Sequence, residues 1–150
     1  MAFPLLRTQA FAAIEPNERG ELMSVYVQWD SAERRAVVWT LTGRWSWNEF
    51  QAAWEMMKAM LESVEHKVDF IYDVRHMSML PADTITRLKG SYLNAPAKVE
   101  QLLAVGVDAN LQLFWNTFTD LPYANHLKMT YFDSLEDAIA YVQAGKGNTR

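Results

Sequence analysis

The sequence predicts one α/β domain in which about four helices pack on a single mixed, mainly parallel sheet of five strands. Two adjacent β-prone apolar runs come first, and amphipathic segments then alternate with three further β-prone runs, in the order β-β-α-β-α-β-α-β-α. Because helical crossovers join parallel strands, the last four strands are predicted to be mutually parallel, with right-handed connections. The first strand is predicted to run antiparallel at or near an edge.

The first two strands are predicted from alternation and from β-propensity. Val25, Val27 and Trp29 alternate with more polar neighbours, which is the period of a strand with one buried face. Residues 36–42 form a continuous β-prone run, typical of a central strand that is covered on both faces. The short turn at residues 30–33 makes the pair an antiparallel hairpin.

A capping box predicts the start of the first helix. The Ser46 hydroxyl is placed to accept from the Glu49 N–H while the Glu49 side chain returns a bond to the backbone of Ser46. Apolar side chains then recur at helical spacing, which predicts about five turns. Residues 68–74 predict the third strand, and a second helix is expected to begin near Pro81 and to end before Pro96.

The remaining segments complete the predicted order. Residues 99–107 predict a fourth strand, and apolar side chains at helical spacing predict a third helix that fails by Pro122. Residues 127–132 predict a fifth strand, and residues 133–136 cap the last helix.

The predicted domain spans residues 22–144. Residues 1–21 form a lead-in segment whose apolar side chains are expected to pack on the domain or on a second subunit, and residues 145–150 form a flexible tail. We expect no signal peptide, because the first residues lack a basic region and Arg7 interrupts their apolar run. No run approaches the roughly 20 apolar residues of a membrane span, so no integral membrane segment is predicted.

The composition narrows the classes of function. Half of the residues are hydrophobic and 13% are aromatic, which indicates a folded core rather than disorder. The net charge is -4 and basic residues never run beyond the pair Arg34-Arg35, so no nucleic-acid partner is expected. The absence of cysteine removes disulfides and thiolate chemistry and fits a cytoplasmic location. Three scattered histidines lack metal-ligand spacing, so neither a metal site nor a cofactor is predicted.

Three stretches carry a family resemblance over about residues 22–144. They are a strand entering a glycine-containing loop and a capped helix (37–50), a strand that ends in Asp73, and a strand followed by Phe132 and a capped helix (129–142). With them the chain resembles the STAS-like family, which includes the anti-sigma-factor antagonists and their SpoIIAA-like relatives. The resemblance implies the same α/β fold and a non-enzymatic regulatory or interaction module. Some relatives of that fold look like small lipid-binding modules.

The resemblance also implies a position for a phosphorylation switch. In the antagonists a serine at the start of the helix after the Asp-ended strand receives phosphate, and this position falls here on Asp83. Thr84 is the nearest hydroxyl if the register shifts by one, and Ser78 lies further away. This departure from the family pattern argues against a phospho-switch in this chain and favours the SpoIIAA-like branch.

Polar residues follow the predicted parallel strands at their carboxyl ends, where open α/β sheets bind ligands. Arg44 and Arg75 are able to hold an anion, or instead to pair with Asp73 or Asp108 in a structural network. An alternative is a small enzyme whose catalytic residues are Asp73, Arg75 and His76. That alternative is the weaker one, because no nucleophile elbow accompanies these residues.

Apolar residues near the same loops are the other candidates for binding. Trp45, Trp47, Met77 and Met79 are not assigned to a predicted core face, and methionine and tryptophan form adaptable contact surfaces. Core or dimer packing is one interpretation, and an apolar ligand pocket is the other. We therefore expect a non-enzymatic binding module, as a homodimer, that acts on a protein partner; the alternative is a carrier of a small apolar or lipid-like ligand.

Overall fold

A five-stranded mixed sheet forms the centre of the computed structural model, which describes residues 24–89 and 96–146. Its strands are β1 (Val25–Trp29), β2 (Ala36–Leu41), β3 (Val68–Asp73), β4 (Val99–Val105) and β5 (Met129–Phe132). They lie side by side in chain order, with β1 antiparallel to β2 and every later neighbour parallel. The predicted α/β class, the mainly parallel sheet and its antiparallel edge strand are confirmed.

Four helices accompany the sheet within the described residues, as the sequence predicts. They are α1 (Trp47–Glu62), α2 (Thr84–Lys89), α3 (Ala109–Thr119) and α4 (Leu135–Lys146). A 3-10 helix at Pro122–Leu127 occupies the segment before β5, so this strand begins two residues later than the sequence predicts. The lead-in segment at residues 1–21 and the last four residues lie outside the described residues.

Side-chain hydrogen bonds cap both ends of α1. The predicted capping box is confirmed: the Ser46 hydroxyl accepts from the Glu49 N–H at 3.3 Å, and the Glu49 carboxylate accepts from the Ser46 N–H at 2.9 Å. At the other end, the Lys98 ammonium donates to the carbonyls of Leu61 and Val64. A cation at this end opposes the negative pole of the helix.

The sheet is covered on two faces by different helices. On one face, the buried side chains of β2 and β3, such as Trp39 and Phe70, pack with α1 and with Phe118 of α3. On the other face, Ile71 and Leu103 pack with α4. All six residues of β2 are buried, which confirms that this strand is covered on both faces. Helices α1, α3 and α4 therefore pack on the sheet, and the carboxyl ends of the parallel strands meet at one edge.

Candidate functional site

Backbone hydrogen bonds join the loops that follow β2 and β3. The Gly43 N–H donates to the His76 carbonyl at 2.9 Å, and the Ser78 N–H donates to the Gly43 carbonyl at 2.9 Å. Gly43 has a φ of +56°, in the region that glycine adopts at low cost. Gly43 thus forms an isolated parallel bridge with Met77, and Trp45 and Met77 line the same space.

Both oxygens of the Asp73 carboxylate bind the Arg75 guanidinium. Asp73 Oδ1 accepts from Arg75 Nε at 2.9 Å, and Asp73 Oδ2 accepts from an Arg75 terminal nitrogen at 2.8 Å. Asp73 is 4% exposed, and this hydrogen bond is the main cause that raises the pKa of Arg75. Of the two interpretations of Arg75, an anion site or a structural ion pair, the structure shows the ion pair.

His76 and Arg44 do not join that ion pair. Both side chains are exposed, and neither makes a hydrogen bond or an ion pair with the described residues. The Asp73 oxygens face the guanidinium and not the imidazole, so the acid–base pair considered from the sequence is not assembled.

The two positions implied by the family switch differ in exposure. Thr84 is 6% exposed, and its hydroxyl donates to the Pro81 carbonyl at 2.7 Å. Asp83 is exposed and pairs with Arg87 at 3.0 Å. In this conformation the hydroxyl nearest to the motif position is therefore closed to a kinase, whereas Ser78 is exposed.

Two rows of side chains on β3, β4 and β5 form the floor of a partly open apolar space, which we call the inner cavity. The strand register aligns Phe70 with Leu102 and Met129 in one row. The next row contains Tyr72, Ala104 and Tyr131. An alanine between two tyrosines leaves room above the sheet, because its side chain ends at the methyl group.

Aromatic side chains of the helices and loops cover this floor. From α1 and the residues before it come Trp45, Trp47, Phe50 and Trp54, and from α3 come Leu111 and Trp115. The rings pack closely: the centroids of Trp47 and Phe50 are 4.8 Å apart, and those of Trp45 and Trp47 are 5.0 Å apart. Four of the six tryptophans of the chain thus line one cavity.

The inner cavity has a volume of about 120 Å³. An apolar cavity of about 150 Å³ stays dry and admits benzene, so this space suits a molecule of similar size. Four residues, Val74, Met77, Leu80 and Leu111, also line a second, more open space at the carboxyl edge of the sheet. These shared residues mark the boundary between the two spaces.

The second space, which we call the outer cleft, is more polar and has a volume of about 470 Å³. Arg75, Ser78, Asp108 and Asn110 line it, beside the half-exposed apolar side chains of Met79 and Phe114. Asp108 is occupied as the N-cap of α3, because its carboxylate accepts from the Leu111 N–H at 2.8 Å. The inner cavity thus adjoins the outer cleft where open α/β sheets bind ligands.

Polar atoms are few around the inner cavity. Tyr131 donates to Asn116 Oδ1 at 2.9 Å, and the Trp115 indole donates to the Leu127 carbonyl at 3.0 Å. By contrast, the buried Trp45 Nε1–H has no hydrogen-bond partner among the described residues. Burial raises the pKa of Tyr72 above its ordinary value, so its hydroxyl stays neutral.

The apolar residues that the sequence suggests as binding candidates lie in two neighbouring spaces. Trp45 and Trp47, for which the sequence left core or dimer packing and an apolar pocket as alternatives, are each 6% exposed and line the inner cavity. Met77 borders both spaces, and Met79 lines the outer cleft.

Several residues of the site escaped the sequence reasoning. The floor of the inner cavity includes Ala104, Tyr72 and Tyr131. In the sequence, nothing distinguishes these three residues from other strand residues. A small residue that lies between larger ones on neighbouring strands indicates a cavity above the sheet. This arrangement can be recognised only when the strand register is known.

The comparisons with protein-family models and with curated proteins give no match for this chain. Across residues 24–89 and 96–146, no three histidine, aspartate or glutamate side chains stand together as a metal site would require. In the same part of the chain, no helix is both long enough and apolar enough to cross a membrane.

Proposed function

We propose that this protein is a non-enzymatic binding module whose ligand is a small, predominantly apolar molecule held in the inner cavity. One observation carries the proposal: a partly open space of about 120 Å³, lined by aromatic and aliphatic side chains, next to the carboxyl edge of a parallel sheet. A concave space lined by apolar and aromatic side chains with few polar groups is typical of a small-molecule site.

The arrangement of the two spaces supports a route for the ligand. The outer cleft offers apolar side chains at Met79 and Phe114, and the inner cavity lies behind Met77 and Leu80. Methionine and leucine side chains change rotamer easily, and methionine is unbranched and adaptable. We infer that a ligand enters between these residues, with the short segment that leads into α2 moving aside.

Native mass spectrometry of freshly purified protein tests the proposal. We expect a bound small-molecule mass that disappears on denaturation. Ala104→Leu should lower the fraction that carries this mass, because the larger side chain occupies the space between Tyr72 and Tyr131. Ala52→Leu, the same substitution at an exposed position of α1 that does not line the cavity, is the matched control and should leave binding unchanged.

Two results would contradict the cavity as the binding site. The first is a bound mass that persists equally in the Ala104→Leu protein. The second is a clean apo protein that also fails to take up added toluene.

A protein-contact surface is the second candidate function. Four large apolar side chains on α3 and the segment after it are at least 42% exposed: Leu113, Phe114, Leu121 and Tyr123. Exposed apolar patches mark protein contacts in many soluble proteins. We propose that this surface forms a homodimer, as expected from the sequence. Light scattering after size exclusion should show a dimer that Leu113→Asp converts to a monomer, whereas a monomeric wild type at every concentration would refute it.

We also infer a STAS-like relationship, which would place the module among regulatory or carrier domains of that kind. The support is the order of the elements and the glycine-containing loop that leads from β2 into a capped α1. Superposition of an experimentally determined structure on known STAS-like domains tests this. All five strands should overlay in the same order and direction, and a different strand order would contradict the relationship.

A further inference from the structure

The inner cavity contains one buried hydrogen-bond donor that no described residue satisfies, and a second donor in its lining. Trp45 is 6% exposed and its Nε1–H has no acceptor, whereas the second donor is the hydroxyl of the partly buried Tyr72. A buried donor without an acceptor costs stability, and native proteins rarely leave one unless another group supplies the acceptor. Both side chains line the same cavity, so a bound molecule is able to supply it.

The charge of that molecule is constrained by the lining. No lysine, arginine or histidine side chain borders the inner cavity within the described residues, and Arg75, which lines the outer cleft, is bound to Asp73. A carboxylate in the inner cavity would therefore be desolvated without a countercharge, which is strongly unfavourable. The lining thus favours a neutral ligand.

The shape of the lining favours an aromatic ring. Four tryptophans, two tyrosines and two phenylalanines surround the space, and flat rings stack on such walls. From these observations we propose that the inner cavity selects a neutral, single-ring aromatic molecule with one hydrogen-bond-accepting oxygen, which receives bonds from Tyr72 and Trp45. This inference rests on the proposed function and specifies the class of ligand.

Nuclear magnetic resonance of the indole N–H groups tests the inference with three probes: acetophenone, ethylbenzene and benzoate. Acetophenone has the acceptor, ethylbenzene has the same ring without it, and benzoate adds the charge. Acetophenone should move the Trp45 indole proton downfield, ethylbenzene should bind without that shift, and benzoate should bind least. The signal is assigned with Trp45→Phe.

Tyr72→Phe separates hydrogen bonding from packing. This variant keeps the ring and removes the hydroxyl, so it should weaken acetophenone binding about tenfold and leave ethylbenzene binding unchanged. Equal effects on both probes, or no effect on either, would overturn the inference, as would tighter binding of benzoate. Binding of none of the three probes would overturn the proposed function itself. Circular dichroism confirms that each variant is folded before it is titrated.

Discussion

Truncation of Phe50 should destabilise the fold, because its ring joins the sheet residue Trp39 to Trp47 at the cavity wall. Its side chain is 6% exposed and lies 4.8 Å from the Trp39 ring and 4.8 Å from the Trp47 ring, measured between centroids. Burying a phenylalanine contributes roughly 1.5–3 kcal/mol, and each aromatic pair adds about 0.5–1.5 kcal/mol. Truncations of buried phenylalanine cost about 3–5 kcal/mol, so Phe50→Ala should lower the free energy of unfolding by about 4 kcal/mol.

Urea unfolding followed by circular dichroism measures this loss. In a chain of this length the same loss should lower Tm by about 8–16 °C. Phe50→Leu keeps most of the apolar volume and should cost about 1–2 kcal/mol. Met56→Ala changes a side chain that is 53% exposed on the same helix, and it should change stability by less than about 0.5 kcal/mol. A loss below about 2 kcal/mol for Phe50→Ala would refute the argument that this ring organises the core and the cavity wall.

Four further substitutions test other parts of the structure. Ser46→Ala removes the acceptor of the capping box and should lower the free energy of unfolding by about 1 kcal/mol, measured by urea unfolding. Gly106→Ala should cost more, and should lower Tm in thermal unfolding, because φ is +82° and a Cβ would lie 2.9 Å from the backbone Cα of Arg75 and would also meet its side chain. Gly43→Ala has open space around it and should cost less. Burial raises the pKa of Asp30 above its ordinary value of 3.8, so the folded state binds the proton more tightly than the unfolded state. Stability should therefore fall as the pH rises from about 4 through the folded pKa, and Asp30→Asn should remove that slope in urea unfolding measured at successive pH values.

Local signals in the sequence predict the secondary structure well. The capping box at Ser46 depends on residues three apart, and β2 is identified by a continuous apolar run that needs no knowledge of its neighbours. For the segment at Pro122–Leu127, local signals do not predict the observed 3-10 helix. Proline ends α3 as predicted, yet the sequence assigns Leu127 to a strand, whereas hydrogen bonds of the 3-10 helix hold it.

The candidate site depends on contacts between distant residues, so the sequence reveals less of it. Proximity along the chain correctly suggests the pair Asp73 and Arg75, but it does not reveal that their ion pair excludes His76. The cavity exists because the strand register places Ala104 between Tyr72 and Tyr131. That register is set by pairing across more than 25 residues of chain, and a one-residue slip would remove the cavity.

A crystal of the protein soaked in iodobenzene provides the most direct test of the central claim, because the anomalous signal of iodine locates the ligand. We expect one strong peak in the inner cavity, above Ala104 and between the rings of Tyr72 and Tyr131, and we expect the peak to be lost in Ala104→Leu. An empty cavity, with peaks confined to the exposed side chains of α3, would contradict the account and leave the protein-contact surface as the better explanation.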